Sequence, residues 1–111
     1  MIRVLIVDDH PVVRRGVRAL LEDEPGIAVV GEAADGPGGI TAFTELRPDV
    51  TLMDLRLPGL DGIQAIAAIR RIDGAANVIV LTSFDADQDV YRAVQAGARG
   101  YLLEGTFIGC E

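Results

Sequence analysis

Disulfide chemistry is out of reach for this chain, because it has a single cysteine, Cys110. One thiol cannot close an internal bridge, so a reducing, cytoplasmic setting is the expectation. Nothing around Cys110 lowers its pKa, and it reads as a bystander thiol. Aromatic residues are scarce at 5%, so Val, Ile, Leu and Ala must do the packing. Lysine is absent: all ten basic residues are Arg, a bias that suits a GC-rich genome. Positive charge is in deficit, with a formal net charge of −7. That sign argues against binding nucleic acid or an anionic membrane through this segment's own surface. No apolar stretch approaches the length of a membrane span. The opening Met1–Val7 run is too short for a signal sequence and meets acids at once.

What the chain does have is apolar material in short runs. Half of its 111 residues are hydrophobic, enough for the core of one domain. Two of the runs stop at aspartate. Ile2–Val7 ends at Asp8 and Asp9, and Val50–Met53 ends at Asp54. Short runs of Val, Ile and Leu read as buried parallel strands. The carboxyl ends of such strands are where an open α/β sheet places its ligand site.

Strand and helix patterns alternate along the chain. Arg3–Val7 reads as the first strand. Pro11 then opens a helix that carries Val12, Val13, Val17, Leu20 and Leu21 at helical spacing. Pro25 and Gly26 end that unit, and Ile27–Ala33 reads as a second strand. A helix from Gly38 to Leu46 follows the Asp35-Gly36 turn signal. Val50–Met53 is the third strand. Asp61 is the expected N-cap of a helix with Ile63, Ile66, Ile69 and Ile72, ended by Asp73-Gly74. Asn77–Leu81 is the fourth strand. Asp85 or Asp87 caps a helix with Val90 and Val94, Gly97 is its C′ residue, and Gly100–Leu103 is the fifth strand. Strands joined by single helices must run parallel, so five such units make a doubly wound α/β sheet. Only Glu104–Glu111 remain, with Gly105 and Gly109 among them, so a fifth helix is expected to be missing or truncated. The expected division is a domain over 1–104 and a short tail over 105–111.

If the strands ending at Asp8-Asp9 and Asp54 are neighbours, three carboxylates converge. A hard divalent cation is the common reason for such crowding. Mg²⁺ takes oxygen ligands and keeps several waters, so it needs no dedicated cage. Such a site suits phosphoryl transfer, and Asp54 can itself be the nucleophile, forming an acyl phosphate. The bland alternative makes these acids helix caps and solvated strand ends. Thr82 offers a hydroxyl at the end of the fourth strand, with a local backbone bond as its alternative use. Tyr101 is core by default, or partly exposed. His10 can ligate a metal, but Mg²⁺ prefers oxygen, so an orienting or surface role is expected. Ser83 and Phe84 carry no separable signal.

These residues, with Val4-Leu5-Ile6-Val7-Asp8-Asp9-His10, Pro48–Gly62, Leu81-Thr82-Ser83 and Gly97–Leu103, give the chain its resemblance. It resembles the receiver domain of bacterial two-component response regulators over about residues 1–104. Asp8-Asp9-His10 and Gly97–Leu103 look most like the NarL/FixJ-type subgroup. The resemblance implies a flavodoxin-like sheet of order 2-1-3-4-5. It implies that Asp54 accepts a phosphoryl group from a sensor histidine kinase, and that Asp8, Asp9, Asp54 and the backbone carbonyl of Arg56 hold Mg²⁺. Thr82 and Tyr101 form the implied switch pair. The implied output is transcription regulation through a helix-turn-helix DNA-binding domain that lies outside this segment. Glu104 departs from the family, which places a lysine there to pair with the phosphoryl group.

Two other readings compete. One is a pseudo-receiver that acts by protein contact and carries no phosphate, which Glu104 favours. The other is a Mg²⁺-dependent phosphatase with an aspartyl nucleophile, which Arg56 disfavours, since such enzymes usually need a second acid there. No turnover of an external substrate is expected. A sheet lacking its fifth helix would bare apolar surface, so self-association, or Phe107 and Ile108 filling the gap, is the expectation for assembly.

Overall fold

The structure, a computed structural model, describes residues 1–82 and 87–103. The elements follow in the order β1 (Ile2–Val7), α1 (Pro11–Glu22), β2 (Ile27–Ala33), α2 (Gly36–Leu46), β3 (Val50–Asp54), α3 (Gly62–Ile72), β4 (Val78–Thr82), α4 (Asp87–Ala96) and β5 (Gly100–Leu103). All strand pairs are parallel, and the sheet order is β2-β1-β3-β4-β5. This is the doubly wound, flavodoxin-like arrangement expected from the alternation of elements. Four helices lie among the described residues, and the stretch after Leu103 falls outside them.

Alternation along the strands builds a core on each side of the sheet. Leu5, Val7, Met53, Val78 and Val80 face α2, α3 and α4, where they pack with Phe43, Ala65, Ile66, Ile69 and Ala93. Val4, Ile6, Leu52 and Leu81 face the other way and pack with Val17, Val13 and Leu21 of α1. The pattern overstated the buried stripe of α1. Val12 is 74% exposed and Leu20 is also exposed, leaving Val17 as the fully buried residue of that helix.

Local chemistry sets the element ends. α2 begins two residues earlier than the glycines suggested, because the Asp35 side chain accepts a hydrogen bond from the Gly38 amide and caps it. α3 starts with a reciprocal capping box: Asp61 accepts from the Gln64 amide at 2.8 Å, and the Gln64 side chain accepts from the Asp61 amide at 3.3 Å. Gly97 adopts φ +121° and donates to Ala93 and Val94 carbonyls, ending α4 as a C′ glycine should. No helix among the described residues is long and apolar enough to cross a membrane.

Candidate functional site

β1 and β3 are direct neighbours, with Val7 opposite Met53. Asp8, which follows β1, and Asp54, the last residue of β3, therefore sit at the same level at the carboxyl edge of the sheet. Asp8 is also tied to β2, donating its amide to the Ala33 carbonyl at 3.0 Å. Asp8 is fully buried, Asp54 is buried, and Asp9 is partly exposed. One ligand atom from each of Asp8, Asp9, His10 and Asp54 lies within 4.8 Å of all the others. The expected convergence of three carboxylates is present.

Hydrogen bonding within this cluster is uneven. Asp8 Oδ1 accepts from the His10 amide at 2.8 Å. Asp54 Oδ1 accepts from the Arg56 amide at 3.3 Å, which bends the chain as it leaves β3. Oδ2 of Asp8 is buried and has no hydrogen-bond partner among the described residues. A buried carboxylate oxygen without a donor is costly, and a cation is the natural remedy. The donor set therefore fits a divalent ion: hard oxygens, closely spaced, with unsatisfied lone pairs.

The ring of His10 is the feature that sequence reasoning undervalued. Its Nδ1 lies 2.8 Å from Asp8 Oδ1, 3.1 Å from Asp9 Oδ1 and 3.6 Å from Asp54 Oδ2. The side chain is 57% exposed, so one edge faces solvent while Nδ1 enters the acid cluster. The hydrogen bond to Asp8 raises the imidazole pKa above its ordinary 6.5; burial opposes this, and the charges of Asp8, Asp9 and Asp54 add to it.

A second missed residue is Arg14. Its Nη1 donates to the Asp8 backbone carbonyl at 2.7 Å, and its Nε donates to Glu32 at 3.0 Å. Arg18 pairs with the same Glu32 and with Glu22. The pair of arginines holds Glu32 below its ordinary 4.5, chiefly through the Arg18 hydrogen bond. This network ties α1 and β2 to the turn that carries Asp8. Two arginines one helical turn apart were visible in the sequence, but their acceptors are a carboxylate on another strand and a main-chain oxygen.

The remaining expected residues distribute as follows. Thr82 closes β4, one position beyond Leu81, which pairs with Asp54. Tyr101 pairs with Val80 on β5. Tyr101 is 54% exposed, so the default core assignment is corrected. β5 is the edge strand of the sheet. Glu104, Ser83, Phe84, Asp85, Phe107, Ile108 and Cys110 lie outside the described residues.

Comparison with known proteins agrees with this geometry. The family model described as the response regulator receiver domain matches residues 4–104. The chain is 52% identical over 104 residues to the transcriptional regulatory protein LiaR of Bacillus subtilis, covering 94% of this chain and 49% of that protein. It is 49% identical over 102 residues to the nitrate/nitrite response regulator protein NarP of Escherichia coli, covering 92% of this chain and 47% of that protein. The chain thus spans about half the length of these curated relatives. Among solved structures, a LuxR-family two-component response regulator from Aurantimonas superposes with a TM-score of 0.89 at 44% identity, covering 94% of this chain and 74% of that one. The signal receiver domain of the putative response regulator NarL from Mycobacterium tuberculosis superposes at 0.87 with 41% identity, covering 93% of this chain and 83% of that one.

Proposed function

Because the chain belongs to the response regulator receiver family, in its NarL/FixJ-type group, we propose that it is a phosphoacceptor module and that Asp54 is the residue phosphorylated. The observation that carries this reading is the meeting of Asp54 with Asp8 and Asp9 at the carboxyl ends of two adjacent strands. The phosphoryl donor in this reading is a phosphohistidine of a sensor histidine kinase. A carboxylate oxygen of Asp54 forms a bond to phosphorus as the nitrogen–phosphorus bond breaks, and the departing imidazole takes up a proton. Asp8, Asp9, Asp54 and the Arg56 carbonyl are the proposed holders of Mg²⁺. When bound, that ion offsets repulsion between donor and nucleophile and stabilises transition-state charge. Arg14 holds the Asp8 turn in place, and the Arg56 amide orients Asp54.

In this proposal residues 1–104 are the receiver and 105–111 a tail. Thr82 and Tyr101 form the switch pair: the hydroxyl moves toward the phosphoryl group and the ring turns inward. The exposure of Tyr101 supports an outward ring before phosphorylation. The printed names of the relatives speak of transcription regulation, which supports a DNA-binding effector downstream of the switch, in the cytoplasm. We assign no DNA contact to this acidic segment and no turnover of an external substrate. Self-association is the proposed mode of assembly, supported by the exposed apolar side chains Tyr91 and Val94. Sedimentation that finds only monomer at high concentration would remove it.

Incubation with Mg²⁺ and a small acyl phosphate tests the main reading. The intact mass should rise by one phosphoryl group, and Asp54→Asn should abolish the gain. Labelling that survives Asp54→Asn unchanged would place the acceptor elsewhere. Glu104 favours a second reading, a pseudo-receiver acting by contact alone. A carboxylate in place of the family's lysine would repel the donor and leave the aspartyl phosphate without its cation. Glu104→Lys should then raise the labelling yield. Equal yields would dismiss Glu104 as an obstacle, whereas no label on either form, despite bound Mg²⁺, would favour the pseudo-receiver.

A further inference from the structure

The position of His10 makes the acid cluster a mixed nitrogen–oxygen site. Nδ1 approaches one oxygen of each of three different carboxylates, at 2.8, 3.1 and 3.6 Å. Around a tetrahedral zinc-class ion, with bonds of about 2.0–2.2 Å, neighbouring donor atoms sit about 3.3 Å apart. The three distances bracket that edge. Asp8 is fully buried, and its Oδ2 has no partner among the described residues, so the cluster holds at least one oxygen in want of a cation. An imidazole adds little for Mg²⁺, which prefers oxygen, but it suits zinc, nickel and copper.

We propose that His10 is a nitrogen ligand and that, with Asp8, Asp9 and Asp54, it lets this pocket take a zinc-class divalent ion in competition with Mg²⁺. The inference rests on the acid cluster of the proposed phosphoacceptor site and adds a regulatory property to it. An ion held by four protein side chains engages Asp54 directly and withdraws it from phosphoryl transfer. Removing the ring narrows the site to its oxygens and weakens its hold on the zinc-class ion relative to Mg²⁺.

His10 is the sole histidine of the chain, so its ring signals can be assigned without ambiguity. Cys110 is the sole thiol and a competing zinc ligand, so a Cys110→Ser background is used. The full chain is titrated with Zn²⁺ alone and with Mg²⁺ alone, at about pH 8.5, because a ligating imidazole must be neutral. Calorimetry gives affinities, and NMR follows the imidazole. Zn²⁺ should move the ring nitrogen signals at one equivalent. His10→Gln should weaken Zn²⁺ binding by about tenfold or more and leave Mg²⁺ binding unchanged or tighter. An imidazole that only ion-pairs with the acids behaves oppositely: its removal leaves Zn²⁺ affinity unchanged or raises it, and that result overturns the proposal. Zn²⁺ binding without a ring shift also overturns it. Zn²⁺ binding through His10 with no Mg²⁺ binding would sink the Mg²⁺ reading alone, since the nitrogen ligand would still be demonstrated. Binding of neither ion sinks both.

Discussion

Nδ1 of His10 lies 2.8 Å from Oδ1 of Asp8, and the same carboxylate oxygen accepts the His10 amide. Residue 10 thus closes a tight loop onto residue 8 through both its main chain and its ring. When protonated, the ring supplies a positive charge beside the carboxylates of Asp8, Asp9 and Asp54.

This contact has a pH signature. The hydrogen bond to Asp8 raises the His10 pKa above 6.5, with the nearby acids assisting. A group whose pKa is raised on folding stabilises the fold fully below its unfolded value. That contribution is lost as pH rises through the folded value. The His10 titration, followed by NMR without metal, should therefore have its midpoint above 6.5. Asp8→Asn should bring the midpoint down toward 6.5. A midpoint at or below 6.5 in the parent chain would contradict the contact.

Glu32 carries the opposite sign. The Arg18 hydrogen bond, aided by Arg14, lowers its pKa below 4.5 on folding. Its stabilisation is present above the unfolded value and is lost as pH falls through the lower, folded one. Glu32→Gln should flatten the dependence of stability on pH in the acid range and leave the slope near neutrality unaltered. Urea midpoints measured across the acid range check this. An unchanged acid slope would show that the Arg14–Glu32–Arg18 network is too well solvated to count.

Thr51 presents a buried hydroxyl on β3, and its Oγ1 has no hydrogen-bond partner among the described residues. Leaving a hydroxyl unsatisfied costs more than replacing it with an apolar group of like shape. Thr51→Val should raise stability by about 1 kcal/mol, seen as a higher denaturant midpoint at constant slope. A loss of that size would mean that the hydroxyl has a partner, such as a bound water.

Much of the architecture was legible before the structure. The strands were, because most are short blocks rich in Val, Ile and Leu, and Ile27–Ala33 and Gly100–Leu103 agree with the sheet residue for residue. The three acids were legible because strand ends and sheet order suffice to bring them together. Failures occurred where a side chain's partner lies on another element. Asp35 looked like a turn residue until its capping bond to Gly38 was seen. Val12 fits a helical stripe, yet its side chain faces solvent. His10 and Arg14 were undervalued for the same reason. The ring's placement and a bond to a backbone carbonyl depend on tertiary geometry, to which a pattern of residue types is blind.

Gly62 shows how closely the site's frame is packed, and two glycine substitutions of opposite sign test it. A Cβ at Gly62 would come within 2.5 Å of the Leu55 Cα and overlap the Asp54 carbonyl oxygen. Both are main-chain atoms of the segment that presents the proposed phosphoacceptor, and the Gly62 amide itself donates to the Leu55 carbonyl at 3.0 Å. Backbone cannot swing aside as a flexible side chain can. Gly62→Ala should therefore cost about 1–3 kcal/mol from overpacking and weaken Mg²⁺ binding by displacing Asp54. For Gly16, inside α1, no atom of the described residues beyond the helix's own backbone and its chain neighbours lies within 4 Å of where a Cβ would sit. There the gain in helix propensity stands alone, so Gly16→Ala should stabilise by about 0.5–1 kcal/mol and leave metal affinity unchanged. Thermal or urea unfolding gives both stabilities, and calorimetry gives the affinity. If Gly62→Ala were as harmless as Gly16→Ala, the start of α3 would not rest on the end of β3, and the close approach that positions Asp54 would be refuted.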